Sequence, residues 1–104
     1  MVRFLGRDVV KHGHVKEYMA ACRALNEAAP NVGMPPIRVY ESKWGTWNEV
    51  FWEQEFEDSA DIERRFAAAH AANDPEWEMA ANELGNHVVD GQTYSYVLSE
   101  ADPG

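Results

Sequence analysis

The chain has one cysteine, Cys22, among 104 residues, so no internal disulfide can form. A lone thiol suits a reducing compartment, and a cytoplasmic location is expected. Basic residues are scarce, nine Lys and Arg against eighteen Asp and Glu, for a net charge of −9. Nucleic-acid affinity rests on neutralising phosphates, so nucleic acids and anionic membrane surfaces are not expected partners. No apolar run approaches the ~18 residues of a membrane span. The opening Met-Val-Arg-Phe-Leu-Gly-Arg-Asp lacks a signal-peptide core. Repeats and low-complexity tracts are missing too. So are a Ser/Cys–His–acid motif, a glycine-rich phosphate loop and a CxxC pair.

What is there is aromatic and alternating. Trp44 to Phe56 holds three of the four tryptophans. Asn48, Val50, Trp52, Gln54 and Phe56 fall on one side; Trp47, Glu49, Phe51, Glu53 and Glu55 fall on the other. Period-two alternation with aromatic and β-branched residues predicts a strand over 47–56. Apolar groups occur on both sides, so both faces need cover.

Around it, Val2–Val10 reads as a first strand and Lys11-His12-Gly13-His14 as a turn pivoting on Gly13. Val15, Tyr18, Met19, Cys22, Leu25 and Ala29 recur at helical spacing and make one apolar stripe. Pro30-Asn31-Val32-Gly33 is expected to end that helix. Ile37–Trp44 alternates as a second strand, and Gly45-Thr46 is short enough for a hairpin to the tryptophan strand. Asp58 or Ser59 caps a further helix with Ile62, Phe66, Ala69 and Asn73 as its stripe. Asp74-Pro75-Glu76 restarts it, with Trp77, Ala80, Ala81, Leu84 and Val88 facing inward. Asp90-Gly91 turns the chain into a last strand, Thr93–Leu98.

The order β-α-β-β-α-α-β predicts an α+β, ferredoxin-like fold: a four-stranded antiparallel sheet with helices on one face. Residues 1–100 form one domain and 101–104 a flexible tail. Such a chain buries roughly 60–70% of its unfolded surface, enough for one core. The helices roof one face only, so a homodimer packed sheet to sheet is expected to cover the other.

Taken together, the helix Val15–Ala29, the strand pair Ile37–Phe56, the Asp58-Ser59 start, the Asp74-Pro75-Glu76-Trp77 restart and the closing strand Thr93–Leu98 resemble the dimeric α+β barrel superfamily. Within it the chain is similar to the NIPSNAP-like and antibiotic-biosynthesis-monooxygenase-like proteins. The resemblance spans nearly the whole chain. It implies a cavity between helices and sheet. It does not imply one reaction, because the superfamily holds cofactor-independent monooxygenases, haem-degrading enzymes, polyketide cyclases and lactone isomerases.

The candidate site residues follow from these two sources. His70, on the alanine-rich helix, is the candidate proton shuttle. In haem-degrading relatives a helix histidine binds iron beside a tryptophan and an asparagine. His70 and Trp52 match two of those roles, but Val2–Val10 has no asparagine, and no cofactor is expected. Arg38, Tyr40, Trp52, Trp77 and Tyr94 are the candidate substrate-binding set, with Arg38 as an anionic anchor and Asn48 and Gln54 as further polar groups. Packing and dimer contacts are the competing reading of the same aromatics. His12 and His14 form an H-x-H pair without a third ligand, so no metal site is expected. His87 suits a helix C-terminus when charged. Glu49, Glu53, Glu55 and Glu57 read as a solvated rim, since same-face acids on a strand sit about 7 Å apart. Cys22 reads as a small buried hydrophobe.

Two functions stay open. One is binding of a small aromatic or apolar molecule between helices and sheet, in the catalytic case as a cofactor-independent monooxygenase or cyclase. The other is a non-catalytic accessory protein whose cavity is filled by its own side chains.

Overall fold

In the computed structural model, which describes residues 1–42, 44 and 47–104, seven elements follow one another. They are β1 (Val2–Val9), α1 (Val15–Val32), β2 (Arg38–Glu41), β3 (Glu49–Phe56), α2 (Ser59–Ala72), α3 (Pro75–Gly85) and β4 (Tyr94–Ser99). The strands form one antiparallel sheet in the order β2-β3-β1-β4, the ferredoxin-like arrangement. The Gly45-Thr46 hairpin lies outside the described residues. Among the described residues, no helix is long and apolar enough to cross a membrane. Residues 101–104 carry no helix or strand and are exposed.

Helix ends are set by local chemistry. Asp58 caps α2 by accepting from the Asp61 N–H at 2.8 Å, and Asp74 caps α3 by accepting from the Trp77 N–H at 3.0 Å. Proline at the first position of α3 loses nothing, because that N–H has no helical partner. Pro30 does not stop α1 as expected. It sits in the last turn, and the helix runs on to Val32. A missing N–H this late removes a single hydrogen bond, while Gly33, at φ 73°, supplies the left-handed cap and the Met34 N–H reaches back to the Ala29 carbonyl at 3.1 Å.

Alternation assigns the two sheet faces. Val2, Phe4 and Val10 of the first strand and Val50, Trp52 and Phe56 of β3 point under the helices. There they join two apolar clusters. One gathers Ala29, Val32, Met34, Phe56, Ile62 and Ala69; the other gathers Val10, Tyr18, Cys22, Ile37 and Val50. The opposite face carries Tyr40, Tyr94, Tyr96 and Leu98, each about half exposed at 48%, 50%, 54% and 47%. The strand glutamates form no free rim there. Arg3 and Arg38 each reach both Glu53 and Glu55 at 3.5–3.6 Å, and Arg7 pairs with Glu49. Cross-strand register brings these charges together, since Arg38 pairs with Glu53 and Arg3 with Glu55. Every residue of β4 is exposed.

Candidate functional site

Between the two clusters lies a cavity of about 340 Å³. Its walls come from both: Ala29, Met34 and Trp77 on one side, Ile37, Trp52, Leu84 and Val88 on the other. Leu25, Pro35, Phe66, Ala81 and Gly85 complete the apolar lining. The volume is at the lower end of the ~300–1,000 Å³ usual for small-molecule sites.

The aromatic walls are held by backbone features. Gly6 is the β1 partner of Trp52, and the indole lies across it, stacked on Phe4 at 5.2 Å between centroids and 21° between planes. Phe66 approaches Phe4 at 5.8 Å from α2. Trp77 is presented by the capped first turn of α3. The approach to β2 is pinned to α1, because the Asn26 side chain donates to the Ile37 carbonyl at 2.9 Å and accepts from its N–H at 2.7 Å. Gln54 donates to the Pro35 carbonyl at 3.0 Å.

Among the described residues, one ionisable group borders this cavity. Asp8 is 3% exposed, on the helix-facing side of β1. Its Oδ2 accepts from the Tyr18 hydroxyl and its Oδ1 from the Thr93 hydroxyl, each at 2.7 Å. Burial, and then the hydrogen bond and charge of Asp8, push the Tyr18 phenol far above its ordinary value. Tyr18 is therefore a permanent donor to the carboxylate. Burial also pushes the Cys22 thiol up to about 11; the neighbouring Tyr18 hydroxyl opposes this and the charge on Asp8 adds to it.

The structure separates the residues proposed from sequence. Trp52 and Trp77 line the cavity. Arg38, Tyr40 and Tyr94 do not, because they stand on the other face of the sheet. Register shows why: Tyr40 pairs with Phe51 and Tyr94 with Arg7, both of the outward parity. There Arg38 meets Glu53 and Glu55, and the Arg7 guanidinium lies over the Tyr94 ring at 5.4 Å. His70 is exposed and absent from the lining, while its neighbour Ala69 is fully buried. One helical residue is about 100° of rotation, which turns the imidazole out. Haem does not fit this histidine. Sequence reasoning missed Asp8, Tyr18 and Thr93 as a group. The signal was present in Val2, Phe4, Gly6, Asp8 and Val10, whose common parity puts a carboxylate among inward groups.

Two other histidines meet instead. Nδ1 of His14 and Nδ1 of His87 are 2.9 Å apart, and Nε2 of His87 lies 2.7 Å from Glu83 Oε1. This contact ties the start of α1 to the segment after α3. Among the described residues, no three His, Cys, Asp or Glu side chains converge as a metal would need.

The fold has counterparts among solved structures: NIPSNAP proteins and antibiotic-biosynthesis-monooxygenase-like proteins share this ferredoxin-like arrangement. An uncharacterised NIPSNAP domain protein from Burkholderia xenovorans superposes with a TM-score of 0.79 at 16% identity, covering 100% of this chain and 98% of that one. A NIPSNAP family protein from Agrobacterium tumefaciens gives 0.76 at 18%, covering 99% and 88%. An antibiotic biosynthesis monooxygenase gives 0.69 at 10%, covering 98% and 100%. At these identities the likeness is one of fold. No protein-family model and no curated protein matches the sequence.

Proposed function

We propose that this chain binds a small aromatic or apolar molecule in the cavity between its helices and its sheet, as one half of a homodimer. The observation that carries this reading is the 340 Å³ of open space walled by Trp52, Trp77 and Phe66. A half-open apolar cleft of this size with aromatic walls supports small-molecule binding, since ligand sites are concave and mostly apolar. It also counts against the alternative of a cavity filled by its own side chains.

The dimer follows from the open sheet face. Half-exposed Tyr40, Tyr94, Tyr96 and Leu98 need a cover, and a second copy offers the same residues in return. The Arg–Glu lattice between them is self-complementary in charge. A reducing cytoplasm suits the buried free thiol of Cys22.

In the catalytic form of this reading, a cofactor-independent oxygenase or cyclase, proton transfer falls to Asp8. Among the described residues it is the ionisable group at the cavity wall, whereas His70 is outside. Calorimetric titration with naphthalenemethanol tests the binding. One site per chain is expected in the wild type, with at least tenfold weaker binding in Trp52→Ala. Absence of saturable binding contradicts the proposal.

A further inference from the structure

The cavity wall is mostly apolar and, among the described residues, carries one ionisable side chain, Asp8, which makes no ion pair. Among the described residues, no Lys, Arg or His forms an ion pair with Asp8; its partners are the neutral hydroxyls of Tyr18 and Thr93. A carboxylate offers about four lone-pair sites, so two hydroxyl donors leave acceptor capacity unused. The other polar wall groups are committed. Asn26 is held at both ends of its amide by Ile37, and Gln54 donates to Pro35. A charge removed from water is costly until it is paired.

We propose that the cavity takes a protonated amine carried on a flat aromatic body, with Asp8 as its counter-ion. This rests on the cavity-binding reading and names the class of ligand. A neutral ligand leaves the Asp8 charge uncompensated, and an anionic one meets it head on. A primary ammonium donates to Asp8 while its ring stacks between Trp52 and Trp77. Aromatic faces attract cations by their quadrupole, so the same walls serve both parts of the molecule. The net charge of −9 favours the approach of a cation over that of an anion. Binding would leave the two hydroxyl donors in place, because the ammonium needs only the unused lone pairs.

Three probes of one shape test this by calorimetry at 150 mM salt: 1-naphthylmethylamine, 1-naphthalenemethanol and 1-naphthylacetic acid. The expected order is amine tightest, at least tenfold over the alcohol, and acid weakest. Asp8→Asn removes the preference, so that amine and alcohol bind within about twofold of each other. If alcohol and amine bind alike, or if Asp8→Asn keeps the amine preference, the counter-ion proposal is overturned while the cavity reading stands. If none of the three binds, both fail. The wild-type ratio of amine to alcohol decides the matter even where Asp8→Asn does not fold.

Discussion

The Trp52 indole lies so close over Gly6 that a Cβ there would come within 1.9 Å of its Cε2 and Cζ2 atoms. Glycine at this strand position is required by the ring above it, not by any turn. The wall of the cavity is thus built from a pair, one residue supplying the ring and the other the space to lie flat.

Replacing Gly6 by alanine forces the indole off Phe4 and toward the cavity. Overpacking of this kind costs about 1–3 kcal/mol. Urea unfolding of Gly6→Ala is expected to show that loss, together with weaker binding of naphthalenemethanol. The double variant with Trp52→Leu should recover part of the stability. A Gly6→Ala protein as stable as wild type would show that the indole does not rest there.

Removing the Tyr18 hydroxyl leaves Asp8 Oδ2 without its donor. A buried acceptor stripped of its partner costs about 1–3 kcal/mol, and Tyr18→Phe should lose that much in urea unfolding. Thr93→Val should lose less, because Thr93 is exposed whereas Tyr18 is fully buried. Equal losses would contradict this ranking.

The raised Cys22 and Tyr18 groups set the alkaline limb of stability. For Cys22, the unfolded thiol ionises from about 9, while the folded one holds its proton to about 11. The unfolded chain therefore sheds protons first, and stability falls as pH rises through that window. Cys22→Ala should flatten that fall in melting temperature between pH 9 and 11. At pH 8 the native thiol should resist iodoacetamide, and rapid alkylation of folded protein would contradict its burial.

At the acid end the sign reverses. The Glu57 N–H, followed by Arg65 and Arg64, holds the Asp61 carboxyl below its ordinary value, against an opposing effect of burial. Its contribution is present above the ordinary carboxylate range and lost as pH falls through the lower folded value. Asp61→Asn should melt lower than wild type at pH 7, and the difference should shrink toward pH 2. A constant difference across that range would assign the effect to something other than the carboxylate charge.

How much of this was legible in the sequence depends on which physical rule had to be applied. Helical spacing was enough for Tyr18, Cys22 and Ala29, and capping chemistry was enough for Asp58 and Asp74. Strand parity put Trp52 and Phe56 on one face. Parity cannot say which face of one strand continues which face of the next until register is known. For that reason Tyr40 and Tyr94 were grouped with Trp52, although their neighbours are Phe51 and Arg7. His70 was misplaced by a single step of helical rotation. Asp8 was overlooked because no face was assigned along Val2–Val10, although its parity with Phe4 and Val10 puts it among inward groups.

The most direct test of the cavity is the melting temperature of the wild type against rising naphthalenemethanol, beside Ala81→Phe, in which the added ring occupies the space. A ligand at a hundred times its Kd adds about 2.7 kcal/mol to the folded state. The wild type should therefore melt steadily higher as ligand increases, while Ala81→Phe stays where it began. An unmoved wild type, or the same rise in both proteins, would mean that the ligand does not enter between helices and sheet.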